Sequence, residues 1–62
     1  MSNAKLIANA RLHLNNGNLL AYKRMMESNI RSAMSARSVK QFQDAWQQDM
    51  PQIKKLESVF LK

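Results

Sequence analysis

The sequence contains no cysteine and one histidine among its 62 residues. The absence of cysteine excludes a disulfide framework, thiol catalysis and cysteine-based zinc sites. His13 has no acid, serine or cysteine arranged beside it, so a surface or capping role is expected for it. The closest acids, Asp44 and Asp49, lie five residues apart and therefore on different sides of a helix. With no glycine-rich phosphate loop and no metal-ligand spacing either, we expect no enzyme activity, no cofactor and no metal site.

Long apolar runs are missing as well. The longest, from Leu19 to Tyr22, has four residues, whereas a membrane-spanning helix needs roughly 20. No secretory signal pattern is visible near the beginning of the chain. These features favour a soluble, cytoplasmic protein.

Negative charge is scarce. The chain has four acids against ten lysines and arginines, a formal net charge of +6 at pH 7. Residues 1–40 carry the whole excess, because Glu27 is the single acid among them. Such a balance favours an anionic partner for this part of the chain. It is equally typical of a basic surface that only keeps a protein in solution.

A chain of this length forms one small domain, over residues 1–62, with a marginal core. It buries only about 60% of the surface that the unfolded chain exposes. Domains of this size usually gain stability from disulfides, a metal or association. We therefore expect association, as a homodimer or with a partner protein.

The one glycine lies in the stretch NNGN, residues 15–18. Asparagine and glycine both tolerate the left-handed conformation that ends a helix, and Asn18 is suited to cap the next one. The pattern predicts a second helix from Leu19 to about Ala33 or Ser35. Its buried face follows the spacing of an amphipathic helix and comprises Leu19, Tyr22, Met26, Ile30 and Ala33.

A third helical element is predicted to begin at Val39. Ser38 and Gln41 have the spacing of a capping box. Its apolar face keeps one phase throughout and comprises Val39, Phe42, Trp46, Met50, Ile53, Leu56 and Phe60. The one proline, Pro51, lies on the polar side and predicts a kinked or nearly continuous element, with two short helices in line as the alternative.

The first segment is open to two interpretations. As a helix, it places Ile7, Ala10 and Leu14 on one narrow face; as a strand, residues 10–14 alternate strictly. Helix is favoured because good helix formers dominate and β-branched residues are nearly absent.

The order ARLHL, the NNGN turn, a helix, then ARSVKQF resembles that of ribbon-helix-helix repressors. The resemblance implies paired strands in the DNA major groove, with Arg11 and His13 as base or phosphate contacts. The chain departs from that pattern in its longer middle helix, in having no glycine before RSV, and in the segment after Pro51. The favoured fold is therefore all-α: a short first helix lying across a long antiparallel hairpin whose second arm is kinked near Pro51.

The basic side chains are the candidate contacts for a partner or nucleic acid. Glu27 lies four residues from Lys23, three from Arg24 and four from Arg31, so an ion ladder within the helix is the simpler interpretation for those three. Lys40 similarly has Asp44 four residues on. The full set of candidates is Lys5, Arg11, Lys23, Arg24, Arg31, Arg37 and Lys40.

Some apolar residues remain outside the predicted core, more than a monomer is expected to hide. They form the candidate apolar interface and comprise Leu12, Leu20, Met25, Val59 and Leu61. Two functions follow: a non-enzymatic interaction protein that binds and regulates a partner protein, as phage, plasmid or accessory genes encode, or a dimeric nucleic-acid-binding regulator, with transcriptional control as one of its uses.

Overall fold

The computed structural model describes residues 2–60, apart from the side chain of Phe60. Within that range the chain forms three helices and no strand: α1 spans Asn3–Asn15, α2 spans Leu19–Ser32 and α3 spans Ala36–Phe60. The predicted all-α fold is confirmed.

The strand interpretation of residues 10–14 is wrong, and so is the ribbon-helix-helix order that depends on it. Ala10 and Leu14, one helical turn apart, are both fully buried, whereas Leu12 between them is exposed. A strand would have placed all three on one face. The helical conformation is favoured because it buries the face with Ala10 and Leu14, although it leaves the Leu12 side chain exposed to solvent.

The NNGN turn joins α1 to α2 as predicted. Gly17 adopts φ +79°, the left-handed conformation. The amide of Asn18 donates to the carbonyl of His13 at 2.8 Å, and the amide of Gly17 donates to that of Leu14 at 3.0 Å, which satisfies carbonyls at the end of α1. Oδ1 of Asn18 then accepts from the amide of Ala21 at 3.3 Å and caps α2.

The start of α3 corrects the predicted capping box. The helix begins at Ala36, three residues before Val39, and its cap is Ser35. Oγ of Ser35 accepts from the amide of Ser38 at 3.2 Å, and its carbonyl accepts from the amide of Val39 at 3.1 Å. Ser38 instead accepts from Nδ2 of Asn3 at 3.1 Å, which ties the start of α1 to α3.

Helix α3 continues through Pro51 without interruption, in agreement with the nearly continuous element. Pro51 is exposed, on the side away from the core. The carbonyl of Gln47, which loses its intrahelical donor there, belongs to an exposed residue and so remains accessible to water. Twenty-five residues at about 1.5 Å each give α3 a length near the 39 Å long dimension of the molecule.

The three helices lie side by side, and α1 does not cross the hairpin. Side-chain hydrogen bonds link Asn3 to Gln41, Arg11 to Gln48 and Asn15 to Gln52, offsets of 37 or 38 residues throughout. A constant offset means that α1 and α3 run parallel in register. Helix α2 runs antiparallel to both and packs against each of them, as expected for the hairpin with α3.

The core lies along the centre of this bundle. Tyr22 and Met26 of α2 meet Phe42 and Ile53 of α3, and the ring of Tyr22 packs edge-on to that of Trp46 at 5.9 Å between centroids. The buried residues are Ala10, Leu14, Tyr22, Met26, Phe42, Ala45 and Ile53. All but Ala45 belong to the predicted faces.

Candidate functional site

Arg11 of α1 binds two side chains of α3. Its Nε donates to Oδ2 of Asp49 at 3.0 Å, and its Nη2 donates to Oε1 of Gln48 at 3.2 Å. Helical spacing offers Arg11 no acid within four residues, and Asp49 lies 38 residues further along the chain. The structure therefore makes Arg11 a link between α1 and α3.

The same carboxylate oxygen also binds α2. The hydroxyl of Tyr22 donates to Oδ2 of Asp49 at 2.6 Å, and the Asp49 side chain is only 12% exposed. Burial raises the pKa of the Tyr22 phenol, and the hydrogen bond to Asp49 and its negative charge raise it further, against a smaller opposite effect of Arg11. Asp49 thus holds one side chain from each of the other two helices.

The predicted ion ladder around Glu27 is largely absent. Arg31 pairs with Glu27 at 4.0 Å, but Lys23 pairs with Glu57 of α3 at 3.9 Å instead. The expected pair of Lys40 with Asp44 is not formed either. Three of the four acids are thereby engaged in ion pairs. Two of these ion pairs connect different helices, and the third lies within α2.

The other candidate cations stay exposed. None of them forms an ion pair with a residue in the described range, and the same holds for two lysines that the sequence interpretation left out. The predicted ones are Lys5, Arg24, Arg37 and Lys40, and the additional ones are Lys54 and Lys55. The surface of the bundle is accordingly cationic on several sides.

The candidate apolar interface is exposed only in part. Leu12, Leu20 and Val59 are exposed as predicted, at 61–65%, but each belongs to a different helix. Met25 is partly buried and packs against the core, which corrects its assignment as an exposed residue. Leu61 lies outside the described residues.

A residue that sequence reasoning missed is the most exposed large apolar side chain in the described range. Met34, in the connection between α2 and α3, is 96% exposed. Helical spacing continued from Ile30 would place Met34 at the edge of the buried stripe of α2. Because α2 ends at Ser32, Met34 never reaches that stripe.

An open groove lies where α1 ends against the C-terminal half of α3. We call it the turn-end groove; its walls include Leu14, Gly17, Gln52, Lys55, Leu56 and Val59. Among the described residues no acid lines it. A second depression, on the other side of Gly17, is lined by Leu19, Leu20 and Lys23 with Asn18, again with no acid in the described range.

The turn-end groove exists because α1 is shorter than α3. Asn15, the last residue of α1, is hydrogen-bonded to Gln52 at 3.2 Å. Val59 lies two helical turns, about 10 Å, further along α3, beyond the end of α1. Val59 is exposed because nothing in the described chain continues along that side of α3.

Two other depressions between the helices differ from the turn-end groove because an acidic residue lines each of them. One lies between α2 and α3 and the other between α1 and α3, and both include Asp44 in their walls. The turn-end groove combines the exposed Val59 and the partly buried Leu56 with Lys55, and no acid lines it in the described range. These properties make it the candidate site for an acidic partner.

The chain matches no family model, no curated protein and no solved structure in comparisons with each. In the range 2–60, no helix is long and apolar enough to cross a membrane, and no three acidic or histidine side chains converge as metal ligands.

Proposed function

We propose that this chain is a non-enzymatic interaction protein that binds and regulates a second protein through an acidic, partly apolar surface of that protein. The turn-end groove is the observation that carries the proposal. It places Val59, which is 65% exposed, beside the exposed Lys55 and the partly buried Leu56. A purely ionic partner would leave such apolar surface in water, whereas a protein partner would bury it.

The charge of the chain supports an acidic partner. Its net charge is +6, and most acids are engaged in ion pairs within the bundle. Exposed cations therefore dominate the field around the molecule and would accelerate encounter with an acidic protein. Self-association, the other expectation from chain length, would bring two such fields together and is disfavoured for that reason.

A nucleic-acid-binding regulator is the alternative, and one observation favours it. Lys5 lies in the first turn of α1, while Arg37 and Lys40 lie in the first two turns of α3. Because α1 and α3 run parallel, these three exposed cations share one end of the bundle, opposite the NNGN turn. Phosphates would bind such a cluster with a strong dependence on salt.

A capture experiment distinguishes the two. Tagged chain is exposed to lysate of its own host, with and without nuclease, and retained proteins are identified by mass spectrometry. We expect a specific protein to be retained after nuclease treatment and released at high salt. The triple variant Lys5→Glu, Arg37→Glu, Lys40→Glu serves as a control and should retain it.

Two results would contradict the proposal. Loss of every retained protein on nuclease treatment, together with duplex binding that the triple variant abolishes, would favour the nucleic-acid alternative. Retention of no protein at low salt would remove the protein-binding function itself.

A further inference from the structure

We propose that the turn-end groove binds an acidic amphipathic helix of the partner protein. Apolar residues of that helix would pack on Leu56 and Val59, and its acidic residues would face Lys55. The inference rests on the proposed function and specifies the site and the partner segment. It does not involve the basic end of the bundle formed by Lys5, Arg37 and Lys40.

The shape of α3 favours a helix as the occupant. The side of α3 that carries α1 includes Gln41, Gln48 and Gln52, each hydrogen-bonded to α1. Val59 continues this side, seven residues after Gln52, and Leu56 lies beside it. One helix, α1, already packs along this side of α3 up to Gln52. A second helix packing beyond that point would meet the same kind of surface.

The apolar content of the groove requires a partner with apolar anchors. Leu56 is partly buried against the core, and Val59 is 65% exposed. Leu14 forms the inner wall and is itself fully buried. An anchor residue that enters between Leu14 and Val59 would therefore contact the core directly, the environment in which interface hot spots form.

The charge of the groove requires acidic flanks on the partner helix. Lys55 is exposed at the rim and forms no ion pair with any residue from 2 to 60. Lys23 lies beyond Gly17 in the adjoining depression, where Glu57 at 3.9 Å offsets part of its charge. A second copy of this chain would bring its own excess of positive charge to this rim, so a copy is a poorer occupant than an acidic helix.

Binding is tested with synthetic peptides and the full chain. The probe is an amphipathic peptide of about four helical turns with leucines at i, i+3, i+4 and i+7 and glutamates on both sides. The first comparison peptide has lysine in place of every glutamate. The second has the same composition as the probe in scrambled order, so its leucines no longer share a face. Affinities are measured by fluorescence anisotropy, and the contacted residues by chemical-shift mapping.

Two pairs of variants separate the groove from general charge and hydrophobicity. Val59→Asp changes the groove, and Leu12→Asp makes the same kind of change at an equally exposed leucine on the far side of α1. Lys55→Glu changes the rim, and Lys40→Glu makes the same charge change on the exposed side of α3. All four positions are exposed, and circular dichroism verifies that each variant is folded.

We expect the probe to bind, and Val59→Asp to weaken it about tenfold or more, as loss of a central interface contact does. Lys55→Glu should weaken it about threefold or more, because it reverses a charge at the exposed rim. Leu12→Asp and Lys40→Glu should change the affinity less than about twofold, since exposed side chains outside an interface contribute little. In the chemical-shift mapping, the largest changes on binding of the probe should occur at Leu56 and Val59.

Three results would overturn the inference: no binding of the probe, equal binding of the scrambled peptide, or equal weakening by Lys55→Glu and Lys40→Glu. Concentration-dependent dimerisation that Val59→Asp abolishes would assign the groove to a second copy instead. The proposed function is tested independently of this inference. If a captured protein is retained by Val59→Asp and Lys55→Glu as well as by the unchanged chain, the interaction function holds and only its location is wrong.

Discussion

The hydroxyl of Tyr22 donates a 2.6 Å hydrogen bond to Oδ2 of Asp49, the same oxygen that accepts from Arg11 at 3.0 Å. One carboxylate oxygen therefore joins α1, α2 and α3. The bond lies at the edge of the core, where Tyr22 is fully buried and Arg11 is half-exposed. No other acid in the described range accepts hydrogen bonds from both of these side chains.

Asp49→Asn should destabilise the bundle by about 2 kcal/mol, because both donors lose a charged acceptor at once. Urea denaturation followed by circular dichroism measures the change in the free energy of unfolding. Asp44→Asn is the matched control, since Asp44 is exposed and forms no ion pair in the described range; it should stay within about 0.5 kcal/mol of the unchanged chain. Equal effects of the two variants would show that the three-helix link contributes nothing.

Tyr22 should make stability fall at alkaline pH. Its pKa is raised in the folded state, so the native protein retains the phenol proton above pH ~10, where the unfolded chain releases it. The contribution is complete below the ordinary tyrosine pKa and is lost as the pH rises through the raised value. Urea unfolding at pH 8 and pH ~11 measures the loss, and Tyr22→Phe should show a smaller one. A loss of the same size in both proteins would argue against this assignment.

Gly17→Ala should cost about 1 kcal/mol, the strain of a left-handed conformation for a residue with a Cβ. No atom lies within 4 Å of the position that a Cβ would occupy, so the cost comes from the backbone alone. Gly17→Asn should cost less, because asparagine tolerates this conformation better. Thermal unfolding of the three proteins gives the order, and an Asn variant less stable than the Ala variant would contradict the explanation.

Ser35→Ala should lower stability by about 1 kcal/mol, since it removes the side-chain acceptor that caps α3. Ser28→Ala is the control: Ser28 is exposed within α2, where alanine is the better helix former, so that change should be neutral or slightly stabilising. Chemical denaturation compares the two. Equal stability of Ser35→Ala and the unchanged chain would show that this cap contributes nothing.

Local patterns in the sequence were sufficient for the helices and for most of the core. The NNGN turn ends α1 through chemistry within four residues, and the apolar stripes of α2 and α3 need only helical spacing to identify Tyr22, Met26, Phe42 and Ile53. The preference for helix over strand in residues 10–14 followed from intrinsic propensity in the same way. The capping residue of α3 was misplaced by three positions because Ser38 and Gln41 have the spacing of a capping box, whereas the residue three positions after Ser35 is a serine.

The ion pairs and the candidate site depended on how the helices pack. Arg11 finds Asp49 at a separation of 38 residues, and Lys23 prefers Glu57 of another helix to Glu27 of its own. The groove at Val59 follows from the difference in length between α1 and α3 and from their parallel register. Sequence spacing describes neighbours within one helix, but which side chains meet across helices, and which stay uncovered, is decided only when three helices of unequal length align.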